Sequence, residues 1–262
     1  MASEGTRMSE LTGRVALVTG AGSGLGQGIA LELAKAGAEV GIIDRDEAAA
    51  HATLALMNEA KGEGRAYVAD VTKRNEVDAT WDAVANDFGH LDIVVNNAGV
   101  SFVGPRIIDT TDEAWHTSID VMQTGVFYGM RAAARHMLPQ RSGSVITISS
   151  IRGFSSNPGR IAYCAAKAAV LMMTQVAAGE WAEFGVRANA VAPGPIRTPM
   201  WESDAASGVV DDAAYVRAIP AGRLGTPSEV GQLVVFLASD KASYINGSCV
   251  TIDGALTTIP SG

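Results

Sequence analysis

Short apolar runs rich in β-branched residues recur along the chain, and between them lie longer stretches with helical spacing. Residues 14–19 form the first run and read as a fully buried strand, apolar throughout rather than alternating. A glycine-rich turn follows, then a helical pattern that continues through Ala36 and is stopped by Gly37. Further strands are predicted at 39–44, 65–69, 91–96, 144–150, 187–192 and 248–252. Helices are predicted from Thr72 or Lys73 to Phe88, from a capping-box pattern at Thr110–Glu113 to Met137 ahead of Pro139, and over 162–184. A second capping box, Thr226-Pro-Ser-Glu229, starts a helix to Ala238, with proline at its first position. Residues 199–222 are mixed and loop-like, and 1–12 read as a loose polar arm. No repeat or low-complexity linker interrupts the alternation. The expected fold is therefore α/β, a single doubly wound domain over 1–262, with about seven parallel strands and helices on both faces.

Composition narrows this only a little. At 47% hydrophobic, the 262 residues can bury a large core, and no apolar run approaches the roughly 18 to 20 residues of a membrane span. Met1 to Arg14 lacks the apolar core of a signal peptide, so a cytoplasmic protein is expected. A net charge of −8 argues against nucleic acid and anionic membranes as partners. Cys164 and Cys249 lack metal or redox spacing, and the four histidines show no ligand pattern, so no metal is expected.

Chemistry enters where glycines, acids and one tyrosine fall at strand ends. Directly after the first strand stands Thr19-Gly20-Ala-Gly-Ser23-Gly24-Leu25-Gly26. Strand, glycine turn and helix is the context of a phosphate-binding loop: glycines let a pyrophosphate approach the backbone, and the helix N-terminus presents free N–H groups. The next strand ends in Asp44, about 20 residues on, the distance at which a carboxylate reaches the adenosine ribose hydroxyls. A carboxylate there accepts from a 2′-hydroxyl and repels a 2′-phosphate, and Ser23 is not basic, so the expected cofactor is NAD. Asp70-Val71, at the third strand's exit, is placed to meet the adenine, and Asn97-Ala98-Gly99 follows the fourth strand. Ser150 closes the fifth. Thirteen residues later Tyr163 and Lys167 stand one helical turn apart on one face. A nearby cation favours phenolate, which would bring a tyrosine of pKa about 10 toward acid/base use near neutrality. A lone Tyr-x-x-x-Lys pair is commonplace on helix surfaces; its weight here comes from the upstream motifs.

Over nearly its whole length the chain resembles the short-chain dehydrogenase/reductases, a Rossmann-type family of about 250 residues. The resemblance rests on Thr19-Gly-x-x-x-Gly24-x-Gly26, Asn96-Asn97-Ala98-Gly99, Ser150 with Tyr163-x-x-x-Lys167, and Pro193-Gly-x-x-x-Thr198. It implies hydride transfer between NAD and a secondary alcohol or ketone. Tyr163 would be the acid/base, Ser150 would orient the reacting oxygen, and Lys167 would hold the nicotinamide ribose and lower the tyrosine pKa. Asn97 would stabilise the strand region near the cofactor, and Ile196 and Thr198 would meet the carboxamide and pyrophosphate. Residues 199–222 would form the substrate lid. A homotetramer or homodimer would pair the helices at 111–137 and 162–184. The family usually has asparagine where this chain has Met122, and methionine cannot replace its hydrogen bonds. That departure keeps a second reading open, an NAD(H)-binding sensor or scaffold with weak or no turnover. The substrate is least determined. Arg152, Arg160 and Trp201 are placed to face it, with the arginines resembling the anion-gripping residues of hydroxy-acid members, such as 3-hydroxybutyrate dehydrogenase. A hydroxy acid, hydroxy sulfonate or acidic sugar would suit them. Solvated loop arginines, with Phe154, Trp201 and Tyr215 walling a neutral ring, stand as the alternative.

Overall fold

The computed structural model describes residues 10–100 and 106–258. In chain order the strands and helices are β1 (Val15–Thr19), α1 (Gly24–Lys35), β2 (Glu39–Asp44), α2 (Glu47–Glu59), β3 (Glu63–Val68), α3 (Arg74–Phe88), β4 (Ile93–Asn96), α4 (Asp112–Ile119) and α5 (Gly125–Gln140). They continue with β5 (Gly143–Ile148), α6 (Ile161–Trp181), β6 (Val186–Pro193), α7 (Pro199–Ala206), α8 (Asp212–Ala218), α9 (Pro227–Ala238) and β7 (Cys249–Ile252). The strands make one sheet in the order β3-β2-β1-β4-β5-β6-β7. Every pairing is parallel. The chain builds outward from β1 to β3 and returns to lay β4 on the other side of β1. The carboxyl ends of β1 and β4 therefore flank the switch point where such sheets bind ligands.

The unbroken apolar strands follow from burial on both faces. Along β1, Ala16 and Val18 pack with Ile29, Leu33, Val230 and Val234 of α1 and α9. Val15 and Leu17 pack with Trp81, Met130 and Val170 of α3, α5 and α6 on the opposite face. Truncating fully buried Leu17 to alanine removes contacts worth about 2–5 kcal/mol.

Four local expectations change. Residues 10–12 are not loose: Leu11 is buried and its N–H donates to the Ala36 carbonyl at 2.8 Å, while 1–9 lie outside the described residues. The cap of α4 is Thr111, one residue later than expected, its hydroxyl accepting from the Ala114 N–H at 3.2 Å. Pro139 does not end α5, which runs to Gln140 before Arg141 adopts a left-handed conformation. Residues 161–184 also pass the length and hydropathy test for a membrane span, at a mean hydropathy of 1.5, contrary to the reading of the sequence. Their apolarity has a different cause. Ala162, Ala166, Val170, Ala177, Ala178 and Trp181 of α6 are buried within the fold. The second capping box forms as expected: Thr226 accepts from the Glu229 N–H, and the Glu229 carboxylate accepts from the Thr226 N–H at 2.9 Å.

Candidate active site

A cleft of about 470 Å³ opens at the carboxyl ends of the strands. All the candidate residues line it: Gly20, Ser23, Gly24, Leu25, Gly26, Asp44, Asp70, Val71, Asn97, Ala98, Gly99, Ser150, Arg152, Arg160, Tyr163, Lys167, Pro193, Ile196, Thr198 and Trp201.

At one end the glycine loop joins β1 to α1. Gly20 has φ +62°, a left-handed conformation that costs a side chain about 1–2 kcal/mol. A Cβ on Gly26 would lie 2.1 Å from the Gly20 carbonyl oxygen, so only glycine lets α1 begin against the loop. Ser23 caps α1 without a side-chain hydrogen bond, leaving the first-turn N–H groups for an anion. Asp44 closes this end. One carboxylate oxygen accepts from the Gly22 N–H at 2.9 Å and the other from the Asp46 N–H at 3.1 Å. Asp70 is tied to its own turn through the Thr72 N–H and hydroxyl, at 2.9 and 2.8 Å.

Asn97 fastens β4 to the loop. Its side-chain amide donates to the carbonyls of Thr19 and Gly20 at 2.9 and 3.2 Å. The Thr19 hydroxyl accepts from the Asn97 and Ala98 N–H groups at 3.0 and 3.1 Å. Thr19 thus positions two cleft residues, a role its place at a strand end does not advertise.

The floor is built by β5 and α6. The Lys167 ammonium, 5% exposed, donates to the Ile148 carbonyl at 2.8 Å. The Ser149 hydroxyl donates to the Lys167 carbonyl at 2.7 Å, locking helix to strand. Neither Ile148 nor Ser149 stood out in the sequence, because one acts through its backbone and the other through a helix backbone. Burial pushes Lys167 down to about 8. Its nitrogen lies 5.8 Å from the centre of the Tyr163 ring.

Tyr163 is partly open to the cleft, yet burial raises its phenol above the ordinary 10. The Ser150 hydroxyl and the charges of Arg160 and Arg152 oppose that rise, whereas Cys164 adds to it. Lys167, expected to lower it, is not among the groups that shift this phenol, although near 8 it still carries its proton at neutral pH.

Residues 199–222 are not a loop but two short helices, α7 and α8. Thr198 caps α7 by accepting from the Trp201 N–H at 3.2 Å. The Trp201 indole donates to Asp212 at 2.7 Å and meets Tyr215 edge-on at 5.0 Å, so a side chain of each helix holds the other. Phe154, expected as a possible wall, is half-exposed and does not line the cleft. Met122 does line it, fully buried in a π-helical turn over Asp120–Thr124 in which the Gly125 N–H donates to the Asp120 carbonyl. Such a bulge takes a backbone carbonyl out of the helix ladder, and is frequent at functional sites.

A family profile described as enoyl-(acyl carrier protein) reductase matches residues 20–257. The 3-oxoacyl-[acyl-carrier-protein] reductase FabG of Thermotoga maritima is 39% identical over 251 residues, covering 94% of this chain and 98% of the relative. The chain belongs to the short-chain dehydrogenase/reductase family. Levodione reductase superposes with a TM-score of 0.92 at 33% identity, over 95% of this chain and 100% of the other. A dehydrogenase of Agrobacterium tumefaciens solved with bound NADP superposes with a TM-score of 0.88 at 33% identity, over 97% of this chain and all of the other. These relatives are oxidoreductases, and the family binds a nicotinamide cofactor. The residues of this short-chain dehydrogenase/reductase fit such a group. The uncapped α1 terminus, the loop that a Cβ at Gly26 would fill, and the fixed Asp44 carboxylate offer a pyrophosphate and a ribose their usual partners. The names of the relatives range over different substrates, so the family does not fix this one.

Proposed function

We propose that the protein is an NAD-dependent oxidoreductase that interconverts a secondary alcohol and a ketone. The carrying observation is the meeting of Ser150, Tyr163 and Lys167 on the floor of the same cleft that ends in the glycine loop. When bound, the cofactor supplies the acceptor or donor of a hydride. Ser150 and Tyr163 hold the substrate oxygen, and Tyr163 takes the hydroxyl proton during oxidation and returns it during reduction. Lys167, anchored by the Ile148 carbonyl, would hold the nicotinamide ribose.

Asp44 supports NAD over NADP. Its carboxylate is pinned by two backbone N–H groups at the adenosine end, so it cannot swing away from a 2′-phosphate without losing both. A relative of this fold was solved with NADP, and the Asp44 carboxylate is the feature that favours NAD in this chain. The helices α7 and α8 serve as the substrate lid. Subunits pair through α5 and α6, whose exposed Phe127, Met172 and Val176 give an apolar outer face.

Met122 favours the rival reading of a dinucleotide sensor. The π turn speaks for the enzyme, because the backbone carbonyl it frees is independent of the side chain. Mixing the purified protein with NAD and a panel of secondary alcohols, with NADH absorbance as the readout, tests the proposal. Turnover on at least one alcohol supports it; cofactor binding without turnover on a broad panel supports the sensor.

A further inference from the structure

The glycine loop is held from outside by α2. Gly22 is buried, and a Cβ there would lie 2.7 Å from the Ala49 Cβ, so the loop rests flush on that helix. Thr53 stands one turn beyond Ala49 on the same face and has no exposed surface. Its hydroxyl donates to the Gly22 carbonyl at 3.2 Å and accepts from the side-chain amide of Gln27, on α1, at 2.9 Å. A buried threonine inside a helix can return its proton to the carbonyl four residues back, as Thr174 of α6 does to Val170 at 2.8 Å. Thr53 sends its proton to the loop instead. A hydroxyl has one proton, and the Gln27 amide, by donating, leaves it for Gly22.

Gly22 is thereby gripped on both sides. Its N–H donates to the Asp44 carboxylate at 2.9 Å, while its carbonyl accepts from Thr53. The preceding Ala21 N–H donates to the Ile43 carbonyl of β2 at 3.0 Å. The Gly22–Ser23 peptide is trans and planar, so its carbonyl and the Ser23 N–H point in opposite directions. With the carbonyl fixed toward α2, the Ser23 N–H faces away from that helix. Ser23 lines the cleft, and among the described residues nothing accepts from its N–H. One buried hydroxyl thus fixes a free donor and, through the same glycine, the carboxylate at the adenosine end.

We propose that Thr53 is a positioning residue for the cofactor: it holds the Gly22–Ser23 peptide so that the Ser23 N–H and the Asp44 carboxylate stay aimed at the adenosine end of a bound dinucleotide. This rests on the reading of the cleft as an NAD site. Thr53 does not line the cleft, so its effect falls on dinucleotide affinity and selection and not on hydride transfer. Without the hydroxyl, the Gly22 carbonyl is buried without a partner. The peptide then turns to find one, and Asp44 loses its Gly22 donor.

Calorimetric titration with ADP-ribose, which carries the adenosine and pyrophosphate but no nicotinamide, reads the effect without turnover. Thr53→Val keeps the shape and removes the hydroxyl. It should weaken ADP-ribose binding about tenfold, about 1.4 kcal/mol. It should also narrow the preference for ADP-ribose over 2′-phospho-ADP-ribose by roughly threefold or more, about 0.7 kcal/mol. Thr53→Ser keeps the hydroxyl and should bind within about twofold of the parent, about 0.4 kcal/mol. Thr53→Ala also lacks the hydroxyl and suits a helix better, so it repeats the test where valine is not tolerated. Circular dichroism at the assay temperature shows whether each variant is folded. In steady-state turnover the loss should fall on the KM for NAD rather than on kcat. Equal ADP-ribose affinity in the parent and a folded variant without the hydroxyl overturns the positioning role and leaves the NAD site standing. Thr53→Ser binding as weakly as Thr53→Val overturns it too. A parent that binds neither ADP-ribose nor NADH overturns both the positioning role and the NAD site. Thr53-dependent binding with no turnover on any alcohol leaves the positioning role standing and removes the dehydrogenase.

Discussion

Replacing Lys167 by methionine should make the cofactor-free protein more stable relative to the parent at neutral pH, and this advantage should fade as the pH rises. The folded protein holds Lys167 near 8, against an ordinary lysine value of 10.5. At about 1.36 kcal/mol per pH unit, keeping this ammonium charged at pH ~7 costs the folded state on the order of 3 kcal/mol. The side chain is 5% exposed, so water screens little of that cost. Below about pH 8 both folded and unfolded chains carry the proton, and the cost is constant. Between about 8 and 10.5 the unfolded chain holds the proton and the folded chain does not. Parental stability therefore rises with pH in this window. Methionine has no proton to lose, so its variant does not share the rise. The gap between variant and parent should narrow by roughly 2–3 kcal/mol from pH ~7 to ~10, or roughly 5–10 °C in Tm. Above ~10 Tyr163 works in the opposite direction, because its folded value is raised and the folded state then binds the extra proton. Methionine also leaves the Ile148 carbonyl without its ammonium partner, a cost of about 1–3 kcal/mol that does not vary with pH. Chemical denaturation of both proteins across this range measures the gap. A gap that is flat or widens with pH would refute the buried-cation reasoning, whatever its absolute size.

Two further outcomes concern the cofactor and the proton path. NAD should be preferred over NADP by at least tenfold in kcat/KM, on the order of 1.4 kcal/mol, and Asp44→Ala should shrink that preference; equal use of both by the parent would show that the carboxylate does not select. Met122→Asn should change turnover by less than about tenfold, under 1.4 kcal/mol in barrier. Activity that appears only in Met122→Asn would mean that an asparagine side chain is required at this position and would favour the sensor reading of the parent.

The central strands were legible because burial on both faces leaves them almost wholly apolar, whereas edge strand β3 keeps polar, exposed positions. Residues 39–44 match β2 at both ends, while 91–96 starts two residues before β4 and 144–150 starts one residue late and ends two residues beyond β5. The cleft was legible because its glycines, Asp44 and the Tyr163–Lys167 pair each do a job that few residue types can do. What stayed hidden acts through the backbone or through partners far away in sequence. The Ile148 carbonyl that holds Lys167 is one case, and the Trp201–Asp212 bond that makes a helical pair from an apparent loop is another. The π turn at Met122 has no periodicity of its own, so the sequence reads it as continuous helix. Spacing put the lysine beside the tyrosine, but spacing does not report how far burial lowers the lysine itself.

Tyr163→Phe is the most direct test of the central claim. It keeps the ring in the cleft and removes only the hydroxyl that moves the proton. On whichever alcohol the parent oxidises best, turnover should fall by roughly two to four powers of ten, the usual contribution of a general acid/base. NAD affinity, read by calorimetry, should stay within about threefold, or about 0.7 kcal/mol, of the parent. Turnover within a few-fold of the parent would contradict the account, because another group would then be moving the proton.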